Sequence, residues 1–359
     1  MKNKLLTCLL LLTSFAFAQN SASWYKQITG SIDKYPITMH LHKAGHNYYG
    51  YYYYESQQKP VYINGEDTSV KDKIRLFAFS TSETTETFTF SIANAAVNGN
   101  WKKDEKAKAL VFTGTETKPV IPLTYVYTEG EKKLRPKLSQ SPQATFFAGS
   151  IWPTGTSPVD VFLQRVVLQL YDEKNNGLEI GKLMLRNKTN FFNGYQNDFK
   201  DLKAADFKES SFMYNVDLSE HVLMVYQSEK IATITDFNYM YSGGAHGNYG
   251  TTYSCYDLVS KKVLKLNDVI TAEGNKKLSA LLARSLRSQF NLKPSAPLTE
   301  VLFENKIAPN QNFYITGKGI GFSYNPYEIA AYAYGEINLF IPFKEIETVL
   351  QPSFKKLLP

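Results

Sequence analysis

Residues 36–54 read PITMHLHKAGHNYYGYYYY. Ile37, Met39 and Leu41 alternate with Thr38, His40 and His42, which makes one face apolar and the other polar. Gly45 falls where the alternation stops, and a tyrosine-rich run returns after it. This is the pattern of a β-hairpin with a glycine-bearing turn. The signature continues through residues 61–63, 74–77, 87–92, 97–101 and 109–112, each run short and bounded by Gly, Asn, Asp or Ser. Short strands at regular spacing, with no helical period, predict an all-β domain over residues 19–117, a meander curling into a small barrel. Gly50 and Gly99 interrupt strand patterns, as expected where a barrel strand bends.

The chain opens MKNKLLTCLLLLTSFAFAQ. Lys2 and Lys4 precede a short apolar run, and Ala16-Phe17-Ala18 is a cleavage signal, so residues 1–18 read as a signal peptide cut after Ala18. The protein is expected to be exported, periplasmic or secreted. Removing Lys2 and Lys4 from the 40 basic residues leaves 38 against 33 acidic. Cys255 is then the single thiol, so no internal disulfide is expected. No later run reaches membrane length. The basic residues are dispersed, which argues against nucleic-acid binding. The compositional outlier is 25 Tyr with 23 Phe, residues that favour strands and binding surfaces.

Residues 118–143 carry Pro119, Pro122, Pro136 and Pro142 beside a charged cluster and read as a linker, with one short strand at 123–128. Residues 144–210 read as helical. Ser157-Pro158-Val159-Asp160 is a helix start with Ser as cap and an acid three residues on. Phe191, Tyr195, Phe199 and Leu202 mark a second helix. From residue 211 the period drops to two, predicting three strands over 212–218, 222–226 and 231–241. Thr271 reads as the cap of a helix whose buried face is Leu278, Leu281, Leu282, Leu286 and Phe290. Residues 313–324 read as a hairpin and 337–343 as a last strand. Runs of helices and runs of strands argue α+β architecture with an antiparallel sheet over 144–359.

Two motifs stand out in this second part. Tyr241-Ser242-Gly243-Gly244-Ala245-His246-Gly247 ends a strand, with Tyr249 just after it. Asn325-Pro326-Tyr327-Glu328-Ile329-Ala330 follows another, with Tyr332 and Tyr334 beyond. With Leu264 to Asp268, Phe313-Tyr314, Gly321-Phe322 and Ile341-Pro342, their order and spacing over residues 210–350 resemble the RsiV-like extracytoplasmic domain family. That family, named as one of unknown function, includes the lysozyme-sensing part of an anti-sigma factor and accessory domains of peptidoglycan deacetylases. The resemblance implies a binding module facing the cell envelope, with a protein or a wall glycan as partner. Ala331 stands where the family usually has proline, so the shape of that loop is open. No segment to hold a sigma factor is visible, so the signalling role does not carry over.

Catalytic readings are weaker. Ser242 and His246 share one turn, but no G-x-S-x-G frame surrounds the serine and no acid is presented to the histidine. GGAHG is not a phosphate loop. Cys255 reads as a buried, inert thiol. Glu328 has no identifiable partner carboxylate. His40 and His42 share a strand face with His46 across the turn, a weak metal candidate weighed against a polar outward face. The expectation is therefore a non-catalytic binding module without cofactor. Its candidate binding residues are Tyr241, Ser242, Gly243, Gly244, His246, Tyr249, Asn325, Pro326, Tyr327, Glu328, Tyr332 and Tyr334. A wall hydrolase or deacetylase, or a structural envelope protein, is the alternative. Oligomeric state is open.

Overall fold

In the computed structural model, which describes residues 23–79, 85–174, 177–207 and 211–359, the alternation over residues 36–54 becomes two antiparallel strands, β2 (Tyr35–Ala44) and β3 (Asn47–Tyr54). Ala44 pairs with Asn47 around Gly45, whose φ of +59° suits glycine. The signal-peptide reading of residues 1–18 lies outside the described residues. Six more strands complete a meander: β1 (Trp24–Ile32), β4 (Val61–Asp67), β5 (Ile74–Ala78), β6 (Glu86–Ala93), β7 (Ala96–Lys102) and β8 (Leu110–Thr117). β1 pairs with both β2 and β8, so the eight strands close into a barrel. At Gly50 and Gly99 a side chain would collide with the neighbouring strand, at the His40 carbonyl and the Thr89 carbonyl respectively. Glycine is required there by this close approach.

The barrel interior is a packed core. Met39, Leu41, Tyr48 and Tyr52 point inward and meet Phe88, Phe90 and Phe112. The Tyr52 hydroxyl donates to the buried Glu86 carboxylate, which also accepts from Trp101 Nε1 at 3.2 Å. An eight-stranded barrel is just wide enough to be filled in this way.

Residues 118–143 contribute more than a linker. β9 (Leu123–Lys133) pairs along its whole length with β10 (Gln143–Pro153), which the sequence pattern did not mark as a strand. Over residues 143–148 burial alternates, but the sequence hides it: Phe147 on the half-buried face is as apolar as Phe146 on the buried one, and Gly149 to Ile151 are buried without a break. Helix α1 (Pro158–Tyr171) starts as expected: Ser157 Oγ accepts from the Asp160 backbone, and Asp160 accepts from the Ser157 backbone. Helix α2 (Ile180–Asp198) follows. The two helices cross over to a strand parallel to β10.

That strand, β11 (Val216–Gln227), replaces two of the three strands expected over 212–241. Residues 211–214 form a 3-10 turn instead. Ser219-Glu220-His221, between two of the expected strands, lies within the sheet, where Tyr125 and Asn238 bond His221 and Glu220. A bulge separates Met224 from Tyr226. β12 (Ile231–Tyr241), β13 (Asn248–Asp257) and β14 (Lys262–Val263) complete a six-stranded sheet in the order β14-β13-β12-β11-β10-β9. After the short helix α3 (Leu266–Val269), helix α4 (Gly274–Gln289) buries Leu278, Leu282 and Leu286. Thr271 is not its side-chain cap; its carbonyl accepts from the Gly274 N–H. A second, antiparallel sheet of β15 (Phe313–Ile315), β16 (Gly319–Tyr324) and β17 (Ile337–Pro342) packs nearby. The fold is thus a closed barrel followed by an α+β part. Among the described residues, no helix is long and apolar enough to cross a membrane.

The polar outward face of β2 and β3 is not solvated. It packs on β11 and its neighbours. Met224 N–H donates to His42 Nε2 at 3.2 Å, while His42 Nδ1 donates to the Tyr49 carbonyl at 3.1 Å. Gln227 donates to Tyr25 OH at 2.7 Å, which in turn donates to His40 Nδ1 at 2.7 Å. Tyr51 and Tyr53 join apolar clusters of the α+β part. The tyrosine run therefore serves two cores at once: Tyr48 and Tyr52 inside the barrel, Tyr51 and Tyr53 between the two parts.

Candidate functional site

The two sequence motifs meet. β12 ends in the 241–250 turn, and the 325–335 loop connects β16 to β17, so each motif hangs from the end of a strand. Gly243 and Gly244 have φ of +90° and +94° and make the turn possible. Gly247 has an ordinary φ; a side chain there would come within 2.5 Å of the Tyr239 ring. The Tyr241 hydroxyl donates to the Gly244 carbonyl at 3.1 Å and ties the turn across its width.

His246 projects from this turn onto the loop. Its ring stacks on Tyr332, with centroids 3.9 Å apart and planes 20° apart. Nδ1 donates to the Gly247 carbonyl at 3.0 Å, and Tyr327 OH donates to Nε2 at 3.5 Å. The Tyr332 hydroxyl returns to the same Gly247 carbonyl at 2.8 Å. Tyr249 meets Tyr332 edge-on at 6.0 Å.

Asn325 joins the loop to β13 by accepting from Thr251 N–H at 2.8 Å. Asn325, Pro326, Tyr327 and Glu328 form a tight turn in which Glu328 N–H donates to the Asn325 carbonyl at 3.0 Å. Pro326 sits at the second position and Tyr327 at the third, with φ of +68°. That third position in a type II turn favours glycine, so a tyrosine there costs about 1–2 kcal/mol. Its ring is 55 % exposed. Glu328 caps the turn by accepting from Asn325 N–H at 2.9 Å and from Asn310 at 2.9 Å. With the Tyr327 ring this exposed, burial offsets little of that cost.

The other sequence candidates separate from this surface. Ser242 is exposed, and both ring nitrogens of His246 are engaged elsewhere, so the two form no nucleophile–base pair. The Cys255 thiol is buried against Thr233, and burial pushes it up to about 12. His40, His42 and His46 do not converge. Both nitrogens of His42 are engaged with backbone, and the exposed His46 pairs with Asp67 at 3.1 Å. Burial drives His40 and His42 down to about 3, as it does His221, which is ringed by Tyr49, Phe147 and Phe237. Among the described residues, no group of three or more His, Cys, Asp or Glu side chains is arranged to hold a metal ion.

Sequence reasoning missed a second feature. Beside the motif surface, a cleft of about 700 Å³ opens between the barrel and the α+β part. Tyr51, Lys59, Tyr62, Asn64 and Phe79 line it from the barrel; Phe237, Tyr249, Tyr253, Phe290, Tyr314, Tyr334 and Glu336 line it from the other side. Glu336 is half-buried, yet protein surrounds its carboxyl on nearly every side. It accepts from Thr251 at 2.5 Å, Asn338 at 2.6 Å and Ser323 at 2.9 Å. Burial raises it, against the opposing pull of these three donors. No local motif announces such a cleft, because its walls come from parts of the chain up to roughly 280 residues apart.

Fold and site together describe a two-part scaffold that presents an aromatic surface. Residues 267–344 match a family described as "Protein of unknown function (DUF3298)". That stretch includes the Asn325–Tyr334 loop and excludes the 241–250 turn. Among solved structures, the chain is similar to a DUF3298 family member from Bacteroides fragilis, at 22 % identity and a TM-score of 0.57, over 66 % of this chain and 96 % of that one. A DUF3298 family protein from Pseudomonas aeruginosa aligns at 20 % identity and a TM-score of 0.45, over 66 % of this chain and 97 % of that one. No curated protein matches.

Proposed function

We propose that the chain is an exported, non-catalytic binding module of the cell envelope, and that it docks a protein partner on the surface shared by the two motifs. The observation that carries this reading is Tyr327, an exposed ring held at positive φ beside the His246–Tyr332 stack. Rigid aromatic side chains give large contact area at low entropic cost and are the usual anchors of protein interfaces. The RsiV-like resemblance makes a lysozyme-like protein the first partner to test. Isolated histidine and carboxylate groups, each tied into loop geometry, support a surface that binds without turning over. Calorimetric titration of hen lysozyme into the purified chain tests the reading. Binding that Tyr327→Ala weakens at least about ten-fold supports it; binding unchanged by that substitution, or none, contradicts it.

A further inference from the structure

The cleft between the barrel and the α+β part adjoins the docking surface just described, sharing Tyr249 and Tyr334 with it but not Tyr327, and its chemistry is specific. Phe79 and Tyr334 contribute rings that are 51 % and 40 % exposed, one from each side. Exposed rings flanking a concave space provide stacking faces for a flat apolar ring surface. Lys59 lines the same space and, among the described residues, has neither an ion pair nor a hydrogen bond; burial lowers it. An ammonium group held in a partly desolvated site without a partner is costly, and an arriving anion would relieve that cost. Asn64, Gln289 and Glu336 add amide and carboxyl groups that can exchange hydrogen bonds with hydroxyls.

A purely apolar ligand would offer no partner to Lys59, which has none among the described residues, and would strip the amides of water. A nucleotide would bring several negative charges to a single cation. A sugar ring with one carboxylate satisfies every wall, and the volume is within the range of small-molecule sites. We propose that this cleft binds an acidic saccharide, its ring stacked between Phe79 and Tyr334, its carboxylate on Lys59 and its hydroxyls on Asn64, Gln289 and Glu336.

Calorimetry on the chain from Gln19 onward tests this with two disaccharides of equal length. One is neutral, N,N′-diacetylchitobiose; the other carries a carboxylate, N-acetylglucosaminyl-N-acetylmuramic acid. The wild type should bind the acidic probe at least about ten-fold more tightly, the scale of one desolvated ion pair. Lys59→Met should reduce the preference to within about two-fold, and Lys59→Arg should keep most of it. Tyr334→Ala should weaken both probes. Thermal unfolding of each variant confirms that it folds. Equal binding of the two probes to the wild type, no binding of either, or a preference that survives Lys59→Met would overturn the assignment. None of these outcomes bears on lysozyme binding at Tyr327, which lies outside the cleft lining.

Discussion

The imidazole of His246 lies flat on the phenol of Tyr332, centroids 3.9 Å apart, and both side chains bond the Gly247 carbonyl. One carbonyl thereby receives hydrogen bonds from both motifs. The stack and the shared acceptor make a coupled unit. Single substitutions His246→Ala and Tyr332→Ala should each cost about 1–2 kcal/mol, and a double-mutant cycle should show coupling of about 0.5–1.5 kcal/mol. Urea unfolding of the four proteins measures it; additive losses would mean that the two motifs are merely adjacent.

Tyr327→Gly separates strain from contact. Glycine relieves the positive φ, worth about 1–2 kcal/mol, but carries about 0.5–1 kcal/mol more backbone entropy into the unfolded chain. Stability should change by no more than about 1 kcal/mol while partner binding is lost. A large destabilisation would show that the ring packs structurally.

Gly50→Ala should be among the more disruptive small substitutions. The new methyl collides with the His40 backbone carbonyl, and neither strand of a closed barrel can move aside. A loss above about 2 kcal/mol is expected. A mild effect would mean that the barrel wall is more yielding than its pairing suggests.

The histidines between the two parts set a pH signature. His40, His42 and His221 are held neutral down to about 3. The unfolded chain takes up protons near 6.5, so their contribution is complete above that value and is lost as pH falls toward 3. Glu220 and Asp236 act in the opposite sense. Burial raises them to about 7 and about 6, with Asp236 also raising Glu220, so they cost stability as pH rises and they ionise in the fold. Glu220→Gln should therefore stabilise the protein by about 1–2 kcal/mol at pH 8 and leave it unchanged at pH 4. It should also steepen the acid-side decline below pH 6.5. Thermal denaturation across pH checks both; equal gains at pH 4 and 8 would refute the ionisation argument.

The barrel was legible because its pattern is local: strands with one buried face alternate, and Met39, Leu41 and the inward tyrosines obey that rule. The start of α1 was legible because Ser157, Pro158 and Asp160 act within four residues of each other. β10 was not, since Phe147 puts a large apolar ring on the half-buried face and masks the alternation. The single long β11 was not, because Ser219, Glu220 and His221 are polar for reasons supplied by Tyr125, Asn238 and the barrel. The outward histidines of β2 looked solvated because nothing in residues 36–54 reveals that β11 covers them. Both motifs were visible, and their juxtaposition follows from the topology: β13 bonds Asn325 and Asn312, which brings the loop after β16 beside the turn before β13.

Two-dimensional NMR of the chain from Gln19 onward titrated with hen lysozyme tests the central claim most directly, because it reads position and binding together. The account predicts perturbations concentrated on residues 241–249 and 325–334, and their disappearance in Tyr327→Ala. Perturbations confined to the barrel or the α1–α2 face, or a spectrum that lysozyme leaves unchanged, would contradict it.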